Sequence, residues 1–141
     1  MDAAALLKYS LDASLFQVQA CYNGLSPEAA QARPIAGMMT ANEQLEHLCE
    51  VCQAVLTQAA GGTHAWGEFV IPDEWKQDRM GTYTALRQKA VDTLMSEPQE
   101  PQLKMGINYL SLHEAYHVGQ LVTLRLTLEP EWNSYSIYPN H

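Results

Sequence analysis

The chain has 141 residues, 47% of them hydrophobic and 17% charged, which suits one globular domain and excludes a disordered chain. Its net charge is −8 with no run of Lys or Arg to offset it, so it lacks the cationic surface that nucleic acid or an anionic membrane would demand. No apolar run approaches the roughly 20 residues of a membrane helix. The opening M-D-A-A-A-L-L-K-Y-S has no cationic region ahead of its short apolar stretch, so it does not read as a signal peptide. Three cysteines, an odd number, argue against a disulfide framework and for a reducing, cytoplasmic setting.

The first predicted helix runs from about Asp2 to Gly24, with Leu7, Leu11, Leu15, Val18 and Tyr22 at helical spacing and Gly24 placed to end it. Ser26-Pro27-Glu28 has the form of a helix start, and Pro34 and Gly37 limit that piece to a short helix or turn. Thr40-Ala41-Asn42-Glu43 is a capping box before a helix from Ala41 to about Ala60, stopped by Gly61-Gly62. Leu45, Leu48, Cys52, Val55 and Ala59 form its inner stripe, with His47 and Val51 on the edge.

Gly62 to Gly81 shows no sustained period yet holds Trp66, Phe69, Val70, Ile71 and Trp75, too much apolar area to leave in solvent. Thr82 is expected to cap a helix reaching Ser96, and Pro98 and Pro101 to break the chain before another helix begins near Met105 or Gly106. That last helix carries Leu110, His113, His117, Leu121, Leu124 and Leu128 on one stripe and ends at Glu129-Pro130. An extended aromatic tail follows, with Trp132, Tyr135 and Tyr138. The expectation is an all-α four-helix bundle over residues 1–141, with a long middle connection.

His113 and His117 stand four apart, so their rings project from successive turns of one face, and His47 points from the edge of another helix. Three imidazoles from facing helices can hold a divalent ion and leave a coordination position open, as catalytic rather than structural zinc sites do. By itself H-x3-H is a weak signal, since any two helical histidines can fall at that spacing.

The pairing of T-A-N-E-Q-L-E-H-L, ending at Leu48, with H-E-A-Y-H-V-G-Q-L, from His113 to Leu121, resembles the DinB-like (damage-inducible) four-helix bundle metalloenzyme family. The likeness extends to the opening helix with Tyr9, to L-S-P-E-A-A-Q-A-R-P from Leu25 to Pro34, and to the long middle connection. Val118 stands where the family's second motif often has arginine, which removes that charge from beside the ligands. The resemblance implies that His47, His113 and His117 bind a divalent metal ion and is compatible with a homodimer acting on a small molecule; imidazole ligands point to zinc or nickel as the ion. Some members transfer groups to a low-molecular-weight thiol, and others hydrolyse or isomerise thiol adducts. A second reading is a non-catalytic dimeric binding module whose histidines bind metal adventitiously or only pack.

Other residues have plainer expectations. Cys49 and Cys52 form a C-x2-C in mid-helix, away from the N-terminal dipole that stabilises a thiolate, and with Cys21 are expected to pack. Glu46, Glu50 and Glu114 default to a solvated face, with a contact to an imidazole N–H open to one of them. His64, among loop glycines, and His141, the last residue, are not expected to be ligands.

Overall fold

The computed structural model describes residues 1–139 and is all-helical, with no strand among them. Helix α1 (Ala3–Tyr22) starts where the Asp2 carboxylate accepts the Ala5 amide at 2.8 Å, pairing an N–H that a helix start otherwise leaves free. It ends by Gly24, whose φ of +88° is the left-handed turn that glycine adopts without strain. A side chain there would also crowd a neighbour, because a Cβ would sit 3.2 Å from the Arg125 guanidinium. That guanidinium donates to the carbonyls of Cys21 (3.0 Å) and Asn23 (2.7 Å) and lies 4.7 Å from the centre of the Trp132 ring. One side chain seals the end of α1 and holds the start of the tail.

The short α2 (Pro27–Gln31) follows Ser26, whose hydroxyl accepts the Ala29 amide as the sequence predicts. Helix α3 (Ala41–Ala59) opens on the complete capping box: Glu43 N–H donates to Thr40 Oγ1 at 3.1 Å and Thr40 N–H to Glu43 Oε1 at 3.0 Å. This fixes the start, and so the rotation, of the helix that carries Gln44, His47 and Glu50. Leu45, Leu48, Cys52 and Val55 are buried as predicted, with Val51 as well, whereas Ala59 is exposed.

Residues 60–78 are irregular apart from a 3-10 turn at Asp73–Lys76. Their apolar side chains are not all covered: Trp75 packs on the core, but Val70 is 81% exposed and Trp66 45%. Helix α4 (Arg79–Ser96) begins earlier than Thr82, because Asp78 accepts the Gly81 amide at 3.0 Å and takes the capping role. The prolines do not delay the last helix either. Pro101 sits in the first turn of α5 (Glu100–Met105), where a missing N–H costs nothing, and the helix continues through a π-helical stretch, Gly106–Ser111, into α6 (Leu112–Leu128). Gly106 lets α1 come close, since a Cβ there would fall 2.8 Å from Leu7 Cδ2.

Helix α3 packs along α4 and α1 along α6, while the π-helical stretch touches both α1 and α3. The core between them holds Leu11 and Val18 of α1, Leu45 and Leu48 of α3, Tyr83 and Leu94 of α4, and Leu110 and Leu121. Each such leucine contributes about 1.5–3 kcal/mol by leaving water. Beyond α6 the tail is not extended throughout: Ser134–Ile137 winds a 3-10 turn, with Trp132 and Ile137 packed inward and Tyr135 63% exposed. No helix among the described residues is long and apolar enough to cross a membrane.

Candidate metal centre

Helices α3 and α6 bring His47, His113 and His117 together, with one ring nitrogen of each within 4.8 Å of the others. The Nε2 atom of His113 lies 3.3 Å from that of His47 and 3.1 Å from that of His117. His117 is buried; His47 and His113 are half-buried, so the cluster reaches the surface from one side. The inner face of this run differs from the predicted stripe. It holds Leu110 of the π-helical stretch and then Glu114, His117, Val118, Leu121, Leu124 and Arg125 of α6, with His113 at its edge and Leu128 outside it.

Hydrogen bonding fixes the state of the deepest ring. The Gln44 side-chain amide donates from Nε2 to the Met39 carbonyl (3.2 Å), an atom that can only accept. Gln44 Oε1 therefore accepts, and His117 Nδ1 must donate to it across 2.8 Å. A neutral His117 with its proton on Nδ1 presents a lone pair on Nε2 to the other two rings. Neutral is the favoured form, because burial, with repulsion from His113 and His47 added, pushes the His117 pKa down to about 3. Burial also lowers His113, with His47 adding to it and Glu114 opposing. It lowers His47 too, against the pull of the Glu50 carboxylate.

Three neutral imidazoles facing one another cannot satisfy themselves. His113 Nε2 can carry one proton at most and can donate it to only one of its two neighbours, which leaves a lone pair pointed at nitrogen. A cation removes the conflict, since it takes all three lone pairs. Nitrogens held about 2.1 Å from one tetrahedral ion stand about 3.4 Å apart, near the two His113 spacings seen here. The donor set fits a divalent ion that accepts imidazole.

One residue along from His113, Glu114 faces the other way. Its carboxylate is 1% exposed and accepts from Ser14 Oγ (2.7 Å), Arg87 Nε (2.7 Å), Arg87 Nη2 (2.9 Å) and the Tyr83 hydroxyl. Arg87 Nη2 also donates to the Leu11 carbonyl. This network ties α6 to α1 and α4 and leaves Glu114 no free lone pair to offer as a ligand. Glu46 pairs with Arg79 Nε at 2.9 Å. Glu50 is the acid that reaches a cluster histidine: its Oε2 lies 3.8 Å from His47 Nδ1.

The sequence gives no sign of the part played by Gln44 or of the partner of His64. Gln44 stands three residues before His47, a spacing that would have flagged it as a neighbour on the helix. His64 gave no such signal, yet it is buried and its Nε2 lies 2.9 Å from Glu50 Oε1. It lies outside the group of three histidines, and His141 lies outside the described residues. The cysteines are unpaired and buried, with burial raising Cys21 and Cys49 to about 12 and Cys52 well above its ordinary value, as packing residues should be.

Set against protein-family models, curated proteins and solved structures, the chain matches none of them.

Proposed function

We propose that this chain is a divalent-metal-dependent enzyme of the DinB-like four-helix bundle type, with α1, α3, α4 and the run α5–α6 as the four long elements. His47, His113 and His117 are its ligands, zinc or nickel its ion, and a small molecule, a low-molecular-weight thiol or its adduct, its substrate. The observation that carries this reading is Gln44, which forces the His117 proton onto Nδ1 and so turns Nε2 into a donor aimed at two other imidazoles.

When bound, such an ion supplies a Lewis acid that lowers the pKa of a water or thiol reaching it. The protein's own part is to hold three neutral rings in place and to leave one side open, through the half-buried edges of His47 and His113. None of the chain's thiols suits the role of nucleophile, because all three are buried and protonated at neutral pH. A thiol nucleophile would therefore come from outside, which favours transfer to or from a free thiol over chemistry on a cysteine of the chain. A homodimer belongs to the same reading, supported by exposed Leu6, Tyr9 and Phe16 on α1.

Elemental analysis of protein purified without an affinity column tests the proposal. About one divalent ion per chain is expected, lost in His113→Ala with helix content unchanged. An ion content that His113→Ala leaves intact would overturn it.

A further inference from the structure

We propose that Glu50 is a positioning residue that couples the connection between α3 and α4 to the histidine cluster, holding His47 on one side and being held by His64 on the other. The inference rests on the cluster binding a metal ion.

The His47 ring has its two nitrogens aimed at different partners. Its Nε2 faces His113 at 3.3 Å, and its Nδ1 faces Glu50 Oε2 at 3.8 Å, one helical turn along α3. The second oxygen of the same carboxylate lies 2.9 Å from His64 Nε2. Both side chains of that contact are withdrawn from water, 15% exposed for Glu50 and 4% for His64. A carboxylate so placed needs donors, and the one it has comes from a residue 14 positions on, in the irregular connection.

That connection is fastened beside the cluster at two points. The His64 ring sits between Trp66 (4.4 Å) and Phe69 (5.1 Å), and Trp66 lies parallel to Tyr109, 6.5 Å away, one turn ahead of His113. One attachment is next to His47 and the other next to His113, so a segment with no regular structure takes its position from the helices that carry the ligands.

Glu50 Oε2 stands beyond hydrogen-bond length from Nδ1, so its hold on His47 is electrostatic; a cation on Nε2 draws density from the ring and strengthens that attraction, and a carboxylate nearby in turn makes Nε2 the better ligand. Glu50 is also the group that His64 grips. Ion binding and docking of the connection then share one carboxylate, and each must favour the other by the same factor. Gln44 and Glu50 divide the outer work on α3: the amide sets the proton of His117, and the carboxylate sets His47 and reports on the connection.

The test uses the full chain, stripped of metal and titrated with zinc, with amide hydrogen exchange read over 62–72. In the wild type, zinc should slow exchange there. Glu50→Gln, nearly the same shape without the charge, should weaken zinc about 10–100-fold. His64→Ala should lower zinc affinity several-fold and abolish zinc-dependent protection of the connection, while His64→Asn, which keeps an N–H donor, should restore part of both. Should Glu50→Gln fail to fold, the His64 variants carry the test alone. Zinc bound normally by His64→Ala, or protection that ignores zinc in the wild type, overturns the coupling. A wild type that binds no zinc, or binds it as well after His117→Ala, overturns the metal-site reading itself and the coupling with it.

Discussion

His113 and Glu114 are adjacent in the chain and belong to opposite kinds of polar cluster. Around Glu114 every strong group has a partner: the carboxylate takes donors from Ser14, Tyr83 and Arg87, and Arg87 spends a further N–H on the Leu11 carbonyl. Around His113 the groups outnumber their partners, with three imidazole nitrogens facing one another and too few protons among them. The Glu114 cluster is shut off from water, while the histidine cluster has only His117 buried. A second difference is that donors and acceptors are matched in one and mismatched in the other, which is the contrast that the proposed metal site rests on.

The largest test of that contrast is to cut each cluster in metal-free protein. Glu114→Ala leaves the Arg87 guanidinium buried without its counter-charge, a loss of about 3–5 kcal/mol in urea unfolding. His113→Ala removes a half-buried ring whose neighbours gain nothing from it without an ion, and should cost less than about 1 kcal/mol. If Glu114→Ala does not fold, the pair Arg87→Met with Glu114→Leu should recover most of the stability, because it removes both charges at once. A Glu114→Ala protein as stable as His113→Ala would erase the distinction.

The Glu114 cluster is the harder of the two to see in the sequence, for a physical reason. Capping codes are local, so Thr40 with Glu43, Ser26 with Pro27 and the turn at Gly24 announce the helix limits, and H-x3-H announces that His113 and His117 share a face of α6. Glu114 takes its partners from α1, a hundred residues away, and from α4, about thirty away, and nothing within its own helix foretells them. The same holds for His64, which finds Glu50 only once the connection folds back. Where the local code itself misleads, a stronger candidate stands nearby: Thr82 has the look of a cap, but Asp78 reaches the Gly81 amide first. The continuous run from Glu100 to Leu128 is hidden because a proline that reads as a break occupies a first turn.

Gln44 allows a finer cut, since it touches the site without being a ligand. Gln44→Leu keeps the volume but frees the His117 proton to sit on either nitrogen, so the protein should stay folded and lose about 10–100-fold in zinc affinity. Competition against a chromogenic chelator measures it. Unchanged affinity would mean that this amide does not set the tautomer and does not turn a His117 lone pair towards the other two rings.

The smallest effect separates the clusters by their response to acid. In metal-free protein His117 titrates near 3, held down first by burial and then by His113 and His47, whereas in the unfolded chain it titrates at about 6.5. His47 and His113 are lowered as well, mainly by burial. As pH falls through about 6.5 the unfolded chain takes up protons that the folded one refuses. The stability present above that value is then lost, by at most about 1.4 kcal/mol per pH unit for each such proton. Between about pH 6.5 and 5 the ordinary carboxylates stay ionised, so the imidazoles dominate the change. Urea midpoints of chelator-treated protein should fall across this window, and fall less steeply in His117→Gln, which keeps a donor for Gln44 without a titrating ring. Equal slopes in the two proteins would show that His117 takes up its proton as readily folded as unfolded, and its lone pair would not be held ready for an ion.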